Sequence, residues 1–475
     1  MRYIIFLLLL IFSFSAYSSE ILKYQFESII RDINNENDAK VGIFIKSLSE
    51  DDFTYMYNYR NPFIPASNQK LITTISAIAN LSPDFKYRTT LATNGNVKNG
   101  TLYGNLYLIG GGDPSLTVQD LENMVKKLKE YGINRVEGNL IGDNSYFSEE
   151  GTGQGWPEDD LNYCFTARFS GLSVNENCLR ISVNIKNGKV YVSMNPLNNY
   201  YQIVNNIEFS KKAGNVILRV EGNRLILEGK VSSKRSLNLE FSIPVNHPSI
   251  FTLSVLSKIL DENGIKVSGK MYLGKAASYK YFVIHQSKPL RELIKKANKD
   301  SNNFYAEQIF RTIGKEVYGV GSTYASARAI IDTLRKMHVA TENIRIYDGS
   351  GLSKYNYTTP EALVKVLDYI YKTPYFYDFF ESLAISGVDG TLKHRLNDQS
   401  LKGRIIAKTG YIKKVKNLSG YVKASNGEVF VFSILVNDLK TTEIANKLQE
   451  KICSILAQYP HMVGIGKLNT NNKIR

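Results

Sequence analysis

Cysteine is scarce, three in 475 residues, so the chain can close at most one internal bridge. Cys164 and Cys178 lie in one short segment and could pair in an oxidising compartment, whereas Cys453 sits in an apolar C-terminal helix pattern and reads as a buried thiol. Histidine is almost as rare: five residues, at 247, 285, 338, 394 and 461, show no metal-ligand spacing, so neither a metal site nor a cofactor is expected. Beyond the first residues no apolar run is long enough to cross a bilayer, which argues against a transmembrane anchor. There is no Arg-rich tract and no nucleic-acid motif, so no nucleic-acid partner is expected. The glycines of "GGGDPSL" (110–116) have no Gly-Lys-Ser/Thr beside them, and they read as a structural turn instead of a phosphate-binding loop.

What is present is the composition of an ordinary globular protein, 43% hydrophobic and 22% charged, in a chain long enough for two or three domains. The opening "MRYIIFLLLLIFSFSAYSSE" places Arg2 before a short apolar run and Ala16-Tyr17-Ser18 after it, the pattern of a signal peptide over residues 1–18. No cysteine follows the cleavage site to carry a lipid, so the mature protein is expected to be exported and soluble. The formal net charge of +15, spread over scattered lysines, suits either a solvated surface or peripheral association with an anionic cell envelope.

Residues 41–48, "VGIFIKSL", and 53–59, "FTYMYNY", read as two strands joined by a polar turn. From about 87 to 280 the texture changes to many short β-like segments separated by Gly, Asn and Asp, interrupted by a helix-like stretch from Leu121 to Tyr131. Helical periodicity then returns through Phe380. The end turns to strands, "GRIIAKTGYI", "LSGYVKA" and "EVFVFSILVN", before a last helix around 441–457. Asn426-Gly427 between the last two strands predicts a hairpin, since both residues tolerate positive φ. The expected architecture is α+β and multidomain. Residues 19–86 and 281–475 make a discontinuous domain of helices packed on an antiparallel sheet, and a β-rich insertion over 87–280, which can divide into two subdomains, interrupts it.

One stretch breaks a local rule. In "PASNQKLITT" (65–74) the apolar residues Leu71, Ile72, Ile75 and Ile78 predict a helix starting near Ser67, with Ser67 as its N-cap. Three residues after such a cap an acidic or amide side chain is usual, because the helix N-terminus is partly positive. Lys70 stands there instead. Positions three apart share a helix face, so the serine hydroxyl and the lysine amine can approach each other. Ser301-Asn302-Asn303 occupies a polar break between two helical patterns. Lys408-Thr409-Gly410 lies on a strand, where the glycine would let a ligand backbone come close.

In this order and context the three motifs are those of penicillin-binding proteins and class A β-lactamases. The chain most resembles the low-molecular-mass class C penicillin-binding proteins, which are D-alanyl-D-alanine carboxypeptidases and endopeptidases. The resemblance spans nearly all of the mature chain through "PASNQKL", "GGGDPSL", "SVNEN" (173–177), "DGSGLS" (348–353), "GVDGTLKHR" (387–395) and "KTG", with a long insertion between Lys70 and Ser301. It implies a penicillin-binding/β-lactamase-like catalytic domain, a periplasmic location, peptidoglycan stem peptides as substrate and β-lactams as covalent inhibitors. It also implies a serine acyl-enzyme with Ser67 as nucleophile, Lys70 as base and Ser301 as proton relay. Asn303 would orient the substrate amide, Lys408 and Thr409 would hold its terminal carboxylate on the strand continued by Gly410, and the backbone N–H of Tyr411 would join that of Ser67 in the oxyanion hole.

Some relatives carry an acidic residue between the positions of Cys164 and Cys178 that reads the amine of a diaminopimelyl side chain. Here that neighbourhood is Asn175-Glu176-Asn177, so either Glu176 takes the role or side-chain selectivity is relaxed. Asp348 and Asp389 sit in Gly-containing loops and read as turn-formers, and Lys413, Lys414 and Lys416 as surface charge. Two other functions remain open at this stage: a serine β-lactamase or esterase, and a cell-wall-binding protein with an idle site.

Overall fold

The segment "VFVFSILVN" (Val429–Asn437) is buried at every position, as a strand covered on both faces must be. In the computed structural model, which describes residues 20, 22–31, 39–49, 53–212, 214–232 and 236–459, it lies inside a six-stranded antiparallel sheet. The strands run in the order Ala384–Ile385, Ile405–Ile412, Val415–Lys423, Val429–Asn437, Lys40–Ser47 and Thr54–Tyr57. Ile43 stands opposite Ile434, so one sheet is built from both ends of the chain. The signal-peptide assignment to 1–18 falls outside the described residues.

Period-two alternation sets what each face of this sheet meets. Phe430, Phe432, Ile434 and Val436 join Leu418, Val422, Ile405 and Ala407 in a core closed by Leu448, Ile452 and Leu456 of the helix Thr442–Ala457. The intervening residues face the other way. There the helix Pro360–Tyr371 packs, and the hydroxyl of Tyr421 donates to the Leu367 carbonyl at 2.8 Å. Asn417, Ser419, Lys408 and Gly410 share that second face by register. The expected hairpin after Ala424 forms, but only Gly427 takes positive φ (+90°). Asn426 contributes through its side chain, whose Oδ1 accepts the Glu428 N–H at 2.9 Å.

The chain divides into two compact units: residues 1–79, 294–302 and 330–475, which hold this sheet, and residues 80–293 with 303–329. The second unit contains a five-stranded, a four-stranded and two three-stranded sheets around a core that includes the helices Val118–Glu130 and Pro248–Glu262. Thr117 and Asp120 close a capping box at the start of the first of these helices. These limits differ from the 87–280 partition expected above. The helix Asn303–Tyr318 belongs with the second unit because its buried side chains bond there: Gln308 Nε2 donates to the carbonyls of Gly112 (3.1 Å) and Ser170 (2.9 Å). Arg311, fully buried, pairs with Glu307 at 2.6 Å and with Glu149 at 3.3 Å. Cys164 and Cys178 are joined in a disulfide, and Cys453 is a buried thiol. Among the described residues no helix is long and apolar enough to cross a membrane.

Candidate active site

A tight turn and the helix behind it set up the first pair of groups. Ala66–Asn68 forms one turn of 3-10 helix, and the α-helix Gln69–Leu81 follows directly. Ser67 therefore lies inside the turn and makes no capping bond, contrary to the expectation of an N-cap. Its hydroxyl instead accepts a hydrogen bond from Lys70 Nζ at 3.0 Å. Lys70 is fully buried, with a second bond to the carbonyl of Ser350 at 2.7 Å. Ala66 holds φ +45°, a costly conformation for a residue with a Cβ, and strain of this kind persists only where the surroundings over-determine it. They do so here: Asn417 Nδ2 donates to the carbonyls of Ile64 (3.0 Å) and Pro65 (2.8 Å), and Asn68 Nδ2 donates to Ser419 Oγ at 2.6 Å.

The loop 348–353 supports the same pair from another side. Asp348, fully buried, accepts from the N–H groups of Gly351 (2.8 Å) and Ser353 (2.6 Å) and from Asn356 Nδ2 (2.6 Å). It is the turn-former the sequence suggested. The turn presents the Ser350 carbonyl to Lys70 and the Gly349 carbonyl to Thr73 Oγ1, at 2.8 Å. Neither acceptor was foreseen, since backbone atoms leave no residue-type signal.

The second pair is Lys408 and Ser301. Lys408 is fully buried, and its Nζ donates to Ser301 Oγ and to the Thr409 carbonyl, both at 2.8 Å. Burial, and then the neighbouring charge of Lys70, push the Lys408 pKa well below the ordinary 10.5. Ser301 is held at φ +56° in the break between the helices Leu290–Lys299 and Asn303–Tyr318. Asn298, just before that break, ties it to the helix Gln69–Leu81, donating to Thr74 Oγ1 at 3.1 Å and to Ser382 Oγ at 2.9 Å. The first unit thus brings Ser67, Lys70, Ser301, Lys408 and Thr409 together. Asn303 opens the helix assigned to the second unit, and its Nδ2 donates to the Phe165 carbonyl at 2.9 Å. Glu176 sits in that unit at the centre of three consecutive residues with positive φ.

The glycine of the strand motif has a different neighbour from the one expected. A Cβ at Gly410 would come within 2.8 Å of both Asn68 Oδ1 and the Pro65 carbonyl, so the Ala66–Asn68 turn, not a ligand backbone, occupies that space. Tyr411 is readable from strand parity. Ile405 gives its carbonyl to Ser386 N–H at 2.9 Å, and Arg404 gives its own to Lys423 N–H on the opposite side at 2.9 Å. Odd residues therefore turn their backbone groups toward the outer edge, Thr409 and Tyr411 included. The outer strand pairs only as far as Ala407, so among the described residues no strand covers that edge beyond it. The Tyr411 ring is exposed and lines a cavity of about 720 Å³ with Lys413, Lys414 and Lys440, a cavity that touches neither Ser67 nor Lys408.

A profile of the D-Ala-D-Ala carboxypeptidase 3 (S13) family matches residues 22–459. The D-alanyl-D-alanine carboxypeptidase DacB of Haemophilus influenzae is 30% identical over 423 residues, 86% of this chain and 88% of that protein. The crystal structure of penicillin binding protein 4 (dacB) from Haemophilus influenzae is similar with a TM-score of 0.80 at 28% identity, covering 90% of this chain and 99% of that one. Its complex with a β-lactam gives a TM-score of 0.73 at 26% identity, over 89% and 97% of the two chains.

Proposed function

Because the chain belongs to the D-Ala-D-Ala carboxypeptidase 3 (S13) family of peptidases, we propose that it hydrolyses the D-alanyl-D-alanine bond of peptidoglycan stem peptides through an acyl-enzyme on Ser67. Cleavage of D-alanyl cross-links is its second activity. The observation that carries this reading is the 3.0 Å contact from Lys70 Nζ to Ser67 Oγ, with the buried Lys408 amine beside it bonded to Ser301 Oγ at 2.8 Å. Mutual repulsion disfavours both ammonium groups being charged together, so one amine is available as a base while the other holds an anion.

Lys70 takes the Ser67 proton as Oγ attacks the carbonyl carbon of the penultimate D-alanine. The carbon–nitrogen bond then breaks as Ser301, already bonded to Lys408, passes its proton to the leaving nitrogen and is reprotonated by the proton that Lys70 took from Ser67. Water attacks the resulting ester, losing one proton to Lys70, and that proton returns to Ser67 Oγ as the shortened peptide leaves. The N–H groups of Ser67 and Tyr411 stabilise the oxyanion, with each donor contributing about 3 kcal/mol. The uncovered outer edge at Tyr411 supports that role. Lys408 and Thr409 hold the terminal carboxylate and Asn303 orients the substrate amide. The signal-peptide pattern over 1–18 supports export to the periplasm, and the basic charge supports peripheral association with the envelope.

Two experiments test this. Purified protein incubated with a stem pentapeptide releases D-alanine, and with cross-linked muropeptides it releases the separated monomers; absence of both products defeats the proposal. Intact-mass measurement after benzylpenicillin shows a long-lived adduct on Ser67. Rapid turnover with no adduct would favour a β-lactamase instead. The β-lactam complex of the Haemophilus influenzae protein supports expecting acylation.

The pH dependence follows from Lys408. Its cationic form holds the substrate carboxylate below its pKa and is lost as pH rises through it. Since that pKa lies well below 10.5, KM for the pentapeptide rises on the alkaline side earlier than an ordinary lysine would allow. A KM that stays flat up to pH 10 contradicts it.

A further inference from the structure

The segment 387–395 carries no role in the reaction just described, yet it ends against the strand that holds the anion. Thr409 Oγ1 donates to Thr391 Oγ1 at 2.8 Å. Thr391 is itself fixed on both sides. Leu392, fully buried, packs in the sheet core with Ile405 and Ala407. Asp389 forms an ion pair with Lys299, two residues before Ser301, and its Oδ1 accepts the Ile385 N–H at 2.8 Å. Between them Gly390 has φ +55°, and a Cβ there would stand 2.7 Å from the Lys299 carbonyl. The loop therefore presses against the segment that carries Ser301, and it places a hydroxyl on Thr409.

We propose that Thr391 is a positioning residue for anion binding: it orients the Thr409 hydroxyl toward the substrate carboxylate. The inference rests on the acyl-enzyme reading above and adds a residue to it. A hydroxyl both donates and accepts. With the site free, Thr409 donates to Thr391. When a carboxylate arrives, Thr409 turns its proton to the anion and its oxygen accepts the proton of Thr391, so the chain of two hydroxyls reverses direction and polarises toward the negative charge. No bond other than these hydrogen bonds changes. Asp389 and Lys299 contribute by holding the loop at the distance at which this reversal needs no backbone movement.

The test separates positioning from general damage by the presence or absence of the carboxylate. The second-order rate of Ser67 acylation is measured by intact mass for benzylpenicillin and for its methyl ester, in the wild-type protein, Thr391→Val and Thr391→Ser. Thr391→Val lowers the benzylpenicillin rate about tenfold, the loss of one hydrogen bond feeding a charged acceptor. It leaves the ester rate unchanged, and Thr391→Ser restores the benzylpenicillin rate. A Thr391→Val protein that matches wild type on both compounds, or loses equally on both, overturns the proposal. A wild-type protein that neither compound acylates overturns the acyl-enzyme reading and this one with it, whereas normal wild-type acylation with no carboxylate-dependent loss overturns this one alone.

Discussion

Lys70→Met lowers the rate of Ser67 acylation by benzylpenicillin on the order of 10³-fold, the middle of the range for removing a general base. Methionine has the length and flexibility of the lysine stem but no amine, so the fully buried channel stays filled while the proton acceptor is gone. Two partners lose their donor: Ser67 Oγ, from 3.0 Å, and the Ser350 carbonyl, from 2.7 Å. Loss of the second bond, to a buried carbonyl, costs about 1–3 kcal/mol of stability. Against this, removing a buried amine relieves a desolvation penalty, so the net change in stability is small beside the change in rate. The measurement is an adduct time course together with a urea unfolding curve. Acylation at the wild-type rate in a folded Lys70→Met protein would remove the base assignment.

Gly351→Ala destabilises the first unit by about 2–6 kcal/mol and removes most activity with it. The left-handed backbone at φ +87° costs an alanine about 1–3 kcal/mol, and overpacking a filled site adds about 1–3 kcal/mol. The new methyl would fall 1.8 Å from the Ala66 carbonyl and 3.0 Å from Ser67 N. Both neighbours are backbone of the Ala66–Asn68 turn, so relief comes only by moving that turn or the 348–353 loop away from Lys70. Thermal unfolding shows the loss directly, and Gly427→Ala, at φ +90° with open space around its Cβ, serves as the comparison for backbone strain alone. If the two variants lose the same stability and the Gly351 variant keeps its acylation rate, the close packing of loop on turn has no consequence for the site.

The elements most legible in the sequence were those governed by one local rule. Alternating and continuous apolar patterns in "EVFVFSILVN" gave a strand that is buried throughout. The helix-like stretch from Leu121 to Tyr131 is the helix Val118–Glu130, and the final helix runs Thr442–Ala457 beside the expected 441–457. Lys70 was legible for a different reason, as a lysine where a helix start prefers an acid, whereas Ser301 and Lys408 stood out only through the resemblance of the three-motif set to penicillin-binding proteins. Less legible was everything that depends on non-local backbone. The carbonyl of Ser350, the amide of Asn417 and the hydroxyl of Thr391 belong to residues about 280, 350 and 320 positions from Ser67, a distance over which no periodicity speaks. The partition of the chain was hidden for the same reason. The helix Asn303–Tyr318 reads like its neighbours in sequence, and its buried Gln308 and Arg311 bond to residues near 112, 149 and 170.

By itself the sequence determined which groups could do chemistry here, because hydroxyl and amine are properties of side chains and of their spacing along one element. Only the tertiary structure decided which groups meet. Lys70 lies 3.0 Å from Ser67 and Lys408 lies 2.8 Å from Ser301 because a sheet drawn from both ends of the chain, a strained turn and a buried loop close around them. The burial that lowers the Lys408 pKa is likewise a property of the closed packing and not of the lysine.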